Sequence, residues 1–124
     1  MKIFRFDKKV GKQVDAYHSK HFTITPISRI LEAQVEVMQI AYMHLAKDGV
    51  IGGHEATVSQ MLLVVEGEGW VKGEDRNPVL IKKGQLAMWE PGEWHETYTE
   101  DGLAAINIES DQLEPFKALP LLSE

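Results

Sequence analysis

The chain contains no cysteine, which excludes disulfides, thiolate metal sites and a cysteine nucleophile. Positive charge is also in short supply. Thirteen Lys and Arg stand against nineteen Asp and Glu, for a formal net charge of −6. An excess of that sign argues against nucleic acid as a main partner and is accounted for by solubility. No segment approaches the roughly 20 consecutive apolar residues of a membrane span. The opening stretch Met1–Lys9 alternates apolar and charged residues, without the apolar run of a secretory signal. The expectation is a cytoplasmic protein with no membrane partner. There is no internal repeat and no low-complexity linker. Gly-rich phosphate loops, Gly-x-Ser-x-Gly elbows and His-Glu-x-x-His helices are absent as well.

What is present is strand after strand. At 124 residues, with 44% hydrophobic and 26% charged residues, the chain has the size and composition of one soluble domain with a real core. Segments rich in Val, Ile, Thr and aromatic residues fall at Lys2–Phe6, His21–Thr25, Ala33–Leu45, Ser59–Val65, Gly69–Lys72, Val79–Ile81, Leu86–Trp89, His95–Thr99 and Leu103–Glu109. Turn signals separate them, among them Asp48-Gly49, Gly52-Gly53, Asn77-Pro78, Lys83-Gly84, Pro91-Gly92 and Asp101-Gly102. Strands at such short intervals predict an all-β antiparallel sandwich or barrel. A short helix is expected at Ser28–Glu32 or in the tail Asp111–Leu119, where Pro115 and Pro120 limit its length.

The segment Gln34–Leu45 is apolar on both faces. Val35, Val37, Ala41, Met43 and Leu45 share one parity, and Met38, Ile40, Tyr42 and His44 the other. One face belongs to the core, and a second copy of the chain is the expected cover for the other, making a homodimer.

The chemistry-bearing residues are concentrated in two places. His54, Ala56 and Gln60 share parity, so that on extended backbone they face one side. His95 follows the tight Pro91-Gly92 turn on a neighbouring strand. Imidazoles from adjacent strands can meet one ion at about 2.1 Å.

These residues and turns resemble the two motif blocks of the small single-domain cupins. In the first block Gly49 opens the loop, His54 matches the first histidine, Ala56 takes the place of the second, Gln60 that of the glutamate, and Gly67 closes it. In the second, Gly84, Gly92 and His95 match in spacing. Glu90 stands where proline is usual, Pro91 comes one residue late, and Thr99 replaces the asparagine. The resemblance runs from Val35 to Ile108. It implies an antiparallel β-barrel or jelly roll (a double-stranded β-helix) over residues 1–124, with N-terminal strands 1–32 and a tail 109–124 as additions. It also implies a divalent iron, manganese, nickel or zinc ion in the barrel and, since many chemistries share the fold, no single activity.

In this chain the implied metal site is depleted. Ala56 removes a donor, and Gln60 keeps an oxygen but loses the negative charge that neutralises a dication. His54 and His95, with Gln60 as a third donor, are the metal candidates. Glu93 is the candidate base beside His95, and Gln60 and Trp94 are the candidates for contacting an organic ligand. Two functions from different classes follow. One is a metal-dependent oxygenase, isomerase or lyase on a small polar molecule. The other is a metal-free cupin that binds or senses a small polar ligand such as a sugar or organic acid. A metal-free epimerase-like reaction would require a histidine oriented by an acid and an opposing tyrosine, and no such set stands out. His18, His21 and His44 are expected on the surface, Trp70 and Trp89 in ordinary packing.

Overall fold

The longest strand organises the molecule. In the computed structural model, which describes residues 1–31 and 34–123, β6 (Ser59–Lys72) runs through two layers of sheet. The other strands are β1 (Lys2–Arg5), β2 (Lys12–Gln13), β3 (Thr23–Ile24), β4 (Met38–Leu45), β5 (Val50–Glu55), β7 (Val79–Lys82), β8 (Gln85–Trp89), β9 (Trp94–Tyr98), β10 (Leu103–Ser110) and β11 (Leu121–Ser123). The first part of β6 pairs with β8 and β10 in the order β11-β1-β8-β6-β10-β4. Its last residues leave that layer and pair with β7 on one side and β9 on the other, with β5 beyond β9. Every pairing is antiparallel.

A strand can change layers only if its backbone turns, and Gly67 makes that turn. Its φ is +76°, and a Cβ there would lie 2.3 Å from the carbonyl oxygen of Gly102. Only glycine takes that conformation without strain. This continuity joins the two segments expected at Ser59–Val65 and Gly69–Lys72 into one strand.

Alternation sets the two cores. Leu62, Val64, Ala87, Trp89, Leu103 and Ala105 face between the layers, with Val71 and Ile81 opposite. Met61, Leu63, Leu86 and Met88 face the other way and are covered by Leu113, Leu119, Phe116 and Ile27. The apolar run Met61-Leu62-Leu63-Val64 is therefore buried on both faces, as a continuous hydrophobic strand demands. The terminal segments supply the outer cover.

Several expectations need correction. The sheets are not closed into a barrel. β4 and β11 end one layer, β5 and β7 the other, and no pairing joins them among the described residues. The architecture is a jelly-roll sandwich. No α-helix occurs among the described residues. Residues 28–31 and the tail Asp111–Leu119 are irregular, and Glu32 lies outside the described residues. The strand expected from Ala33 starts only at Met38, with Ala33 itself outside the described residues. The one expected at His21–Thr25 shrinks to two residues. Gly52-Gly53 lies within β5 rather than in a turn, for a reason that concerns the site below.

Candidate functional site

Between the layers, at the end away from Gly67, is a cavity of about 40 Å³. Its walls are Met43, Ile51, His54, Gln60, Leu62, Trp89, His95, Thr97, Asn107 and Glu109. His54 and His95 are register partners across β5 and β9. Their rings lie with centroids 4.4 Å apart, tilted by 57°.

A β-bulge brings His54 in. Along β9, His95 and Thr97 share a face, but their partners on β5 are His54 and Ile51, three residues apart instead of two. The extra residue falls at Gly52-Gly53, so both Ile51 and His54 face inward. A Cβ at 53 would stand 2.1 Å from the nearest ring carbon of the Trp94 indole, so glycine there lets that ring lie against the strand and any larger residue displaces it. The bulge also aims the Gly52 carbonyl at the imidazole, 2.7 Å from Nδ1 of His54.

Both histidines are tautomerically set by backbone. A carbonyl only accepts, so Nδ1–H of His54 donates to Gly52 O, and Nδ1–H of His95 donates to Glu93 O at 3.3 Å. Each ring keeps its Nε2 lone pair for a ligand. This is the arrangement in which a protein presents imidazole to a metal. His54 is exposed at the mouth of the cavity, while His95 is buried against Trp89, with ring centroids 4.9 Å apart. Burial pushes the His95 imidazole below the ordinary histidine range. The charge of His54 acts in the same direction, and the Glu93 carbonyl bond and the charges of Glu109 and Glu93 oppose it. His95 is thus a neutral donor near pH 7.

Gln60 lies on the central strand with Trp89 and Glu109 as its partners on either side. It is buried and faces the cavity. Trp89 closes the inner wall, its indole N–H donating to Lys72 O at 3.1 Å.

Other expected site residues are placed elsewhere. The Glu93 carboxylate does not line the cavity. It accepts the backbone N–H of Glu90 at 3.1 Å and pairs with the terminal amine of Met1. What Glu93 gives the site is its carbonyl, which holds both His95 Nδ1 and the N–H of Ala56. Trp94 has the opposite parity to His95 and packs outward, over Gly53 and beneath the Arg76 guanidinium, 3.6 Å from the ring centroid. Trp94 is not among the residues that line this cavity. Ala56, though buried, is held in the connection by backbone bonds with Glu93 and Gly92 and is not part of the cavity wall. His44 is exposed against Tyr42, and His18 and His21 are exposed in the N-terminal segment. Trp70 stacks on Tyr98 at 6.4 Å on the outside of the second layer.

The residues that sequence reasoning missed are Asn107 and Glu109. Their signal was present, since polar side chains alternate onto the inward parity of a strand that is otherwise apolar at Leu103 and Ala105. Among the described residues no three His, Asp or Glu side chains already stand close enough to hold an ion. The two imidazole rings lie with centroids 4.4 Å apart, and the polar side chains of Gln60, Asn107 and Glu109 line the same cavity. Larger clefts, of about 510 and 660 Å³, lie at the N-terminal segment and away from both histidines.

No family model matches the sequence, and no curated protein does. Solved structures do match. A cupin superfamily protein from Desulfitobacterium hafniense superposes with a TM-score of 0.58 at 18% identity, over 68% of this chain and 76% of that one. A protein with a double-stranded β-helix domain from Klebsiella pneumoniae gives 0.54 at 17% identity, over 73% and 82%. A predicted oxalate decarboxylase from Thermotoga maritima gives 0.52 at 22% identity, over 56% and 62%. At these identities the likeness is one of fold, the double-stranded β-helix.

Proposed function

We propose, from the premise that this chain has the fold of the small cupins, that it holds a divalent metal ion between His54 and His95 and uses it on a small polar molecule. The observation that carries this reading is the matched pair of imidazoles, each with Nδ1 committed to a backbone carbonyl and Nε2 free in one cavity. Gln60 would add a neutral oxygen donor. When bound, a divalent ion supplies Lewis-acid polarisation of a substrate oxygen. The chain's own contribution is to fix the two donors, to keep His95 neutral by burial, and to exclude water on the inner side with Trp89, Leu62 and Met43. The exposed side of His54 is the way in. An oxygenase, isomerase or lyase would be built on these parts.

Cavity size supports this reading over the metal-free one. Pockets that enclose organic ligands occupy roughly 300–1,000 Å³, and about 40 Å³ has room for only a few water-sized groups. An ion with one or two oxygen ligands fits that space, while an enclosed sugar does not. The metal-free binding reading is favoured by one observation, the lack among the described residues of a ready group of three His, Asp or Glu side chains.

The test is elemental analysis of protein purified without chelators or an immobilised-metal column, beside His54→Ala and His95→Ala. Near-stoichiometric iron, manganese, nickel or zinc in the parent, lost in both variants, is the expected result. A parent that neither carries nor takes up metal would sink the reading.

The assembly proposed with it is a homodimer through the outer face of β4. Met38, Ile40 and Tyr42 are 53%, 65% and 59% exposed there, on a strand that ends its sheet and so offers unpaired backbone groups to a second copy.

A further inference from the structure

The depleted site lacks an anionic donor at position 60, yet a carboxylate is present one strand away. Glu109 is the register partner of Gln60 across β6 and β10. Partners in an antiparallel ladder hold their Cβ atoms about 4.5–5.5 Å apart on the same face, so a side chain at 109 serves the same space as one at 60. Glu109 lines the cavity together with both histidines. Unlike Glu93, Glu109 is in no salt bridge among the described residues. Its neighbours on the inward parity are apolar or amide, namely Ala105 and Asn107.

We infer that Glu109 is the charged ligand of this site, supplying from β10 the negative charge that Gln60 does not supply from β6. The inference rests on the metal reading above and adds the third donor to it. The ion would be held by two imidazole Nε2 atoms and one carboxylate oxygen, with the Gln60 oxygen or water beside them. One of the ion's two charges is then neutralised by protein, which two imidazoles and an amide cannot do. Among the described residues the two imidazoles and this carboxylate do not already stand close enough to hold an ion together, so binding would turn the Glu109 side chain about its own torsions while the histidines stay pinned by the backbone.

The experiment is calorimetric titration of the metal-free protein with zinc and, separately, manganese, for the parent, Glu109→Gln, Gln60→Glu and the double variant Gln60→Glu/Glu109→Gln. Circular dichroism checks the fold of each. The parent is expected to bind one ion. Glu109→Gln should bind at least about tenfold more weakly, since even loss of an outer partner costs about 10–100-fold. The double variant should recover most of that loss, because the carboxylate has moved only to the opposite side of the same register pair. A Glu109→Gln protein that binds as tightly as the parent overturns the inference while leaving the two-histidine reading in place. A double variant as weak as Glu109→Gln overturns the claim that the two positions serve one ion. A parent that binds neither metal sinks both readings. Should Glu109→Gln fail to fold, Glu109→Asp takes its place. The shorter carboxylate keeps the charge but falls short of the ion, so the same tenfold loss is expected, and parent-like affinity overturns the inference.

Discussion

At the residue scale the site is governed by how each histidine is held. Nδ1 of His54 and of His95 is taken by a carbonyl, and that commitment makes each a donor at Nε2. The depressed His95 also has a measurable consequence in the metal-free protein. Its folded-state pKa lies below the ordinary value of 6.5, chiefly because of burial. Between those two values the unfolded chain binds a proton that the folded chain does not, so the stability from this group is complete above about pH 6.5 and is lost as the pH falls through that window. Urea midpoints of the parent should drop on going from about pH 7.5 to about pH 5.5 by more than those of His95→Gln, in which the group is absent. Equal drops in the two proteins would count against a buried, neutral His95.

At the element scale the decisive pieces are the bulge in β5 and the bend in β6. The bulge returns His54 to the inward face after Ile51 has already used it, and it places the Gly52 carbonyl against the ring. The bend at Gly67 lets one strand serve two layers. A Gly67→Ala chain must put a Cβ at positive φ and 2.3 Å from the Gly102 carbonyl oxygen. The expected loss is about 2 kcal/mol or more, combining the left-handed backbone cost with the displaced neighbour. Thermal or urea unfolding reads it directly. A loss below about 0.5 kcal/mol, the range of an unremarkable surface change, would show that the bend does not depend on glycine.

At the scale of the whole molecule, the outer face of the first layer is covered only in part. The tail and the N-terminal segment lie over Met61, Leu63, Leu86 and Met88, while Met38, Ile40 and Tyr42 on β4 remain in solvent. Ile40→Glu should convert the proposed dimer to monomer in sizing with light scattering. A charge there cannot be desolvated against its own copy without a large penalty. An unchanged mass would remove this face from any interface. Among the described residues no helix is long and apolar enough to cross a membrane.

Much of this was legible in the chain itself, because alternation and turn chemistry are local. The all-β class and the approximate strand positions from β6 to β10 follow from side-chain period and glycine spacing, whereas the grouping of His54, Gln60 and His95 rests on the resemblance to the cupin motif blocks, with which their parity agrees. Register and direction were decided by tertiary structure. Period alone gave His54 and Ala56 one face, but the bulge at Gly52-Gly53 and the bonded connection at Ala56 separate them. Glu93, close to His95 in sequence, is turned away to the Met1 amine. Glu109, remote in sequence from both histidines, is brought to them by the pairing of β10 with β6. The reason is physical: a strand's period assigns a side chain to one of two faces, but only the pairing of strands and the turns between them determine which residues share a cavity.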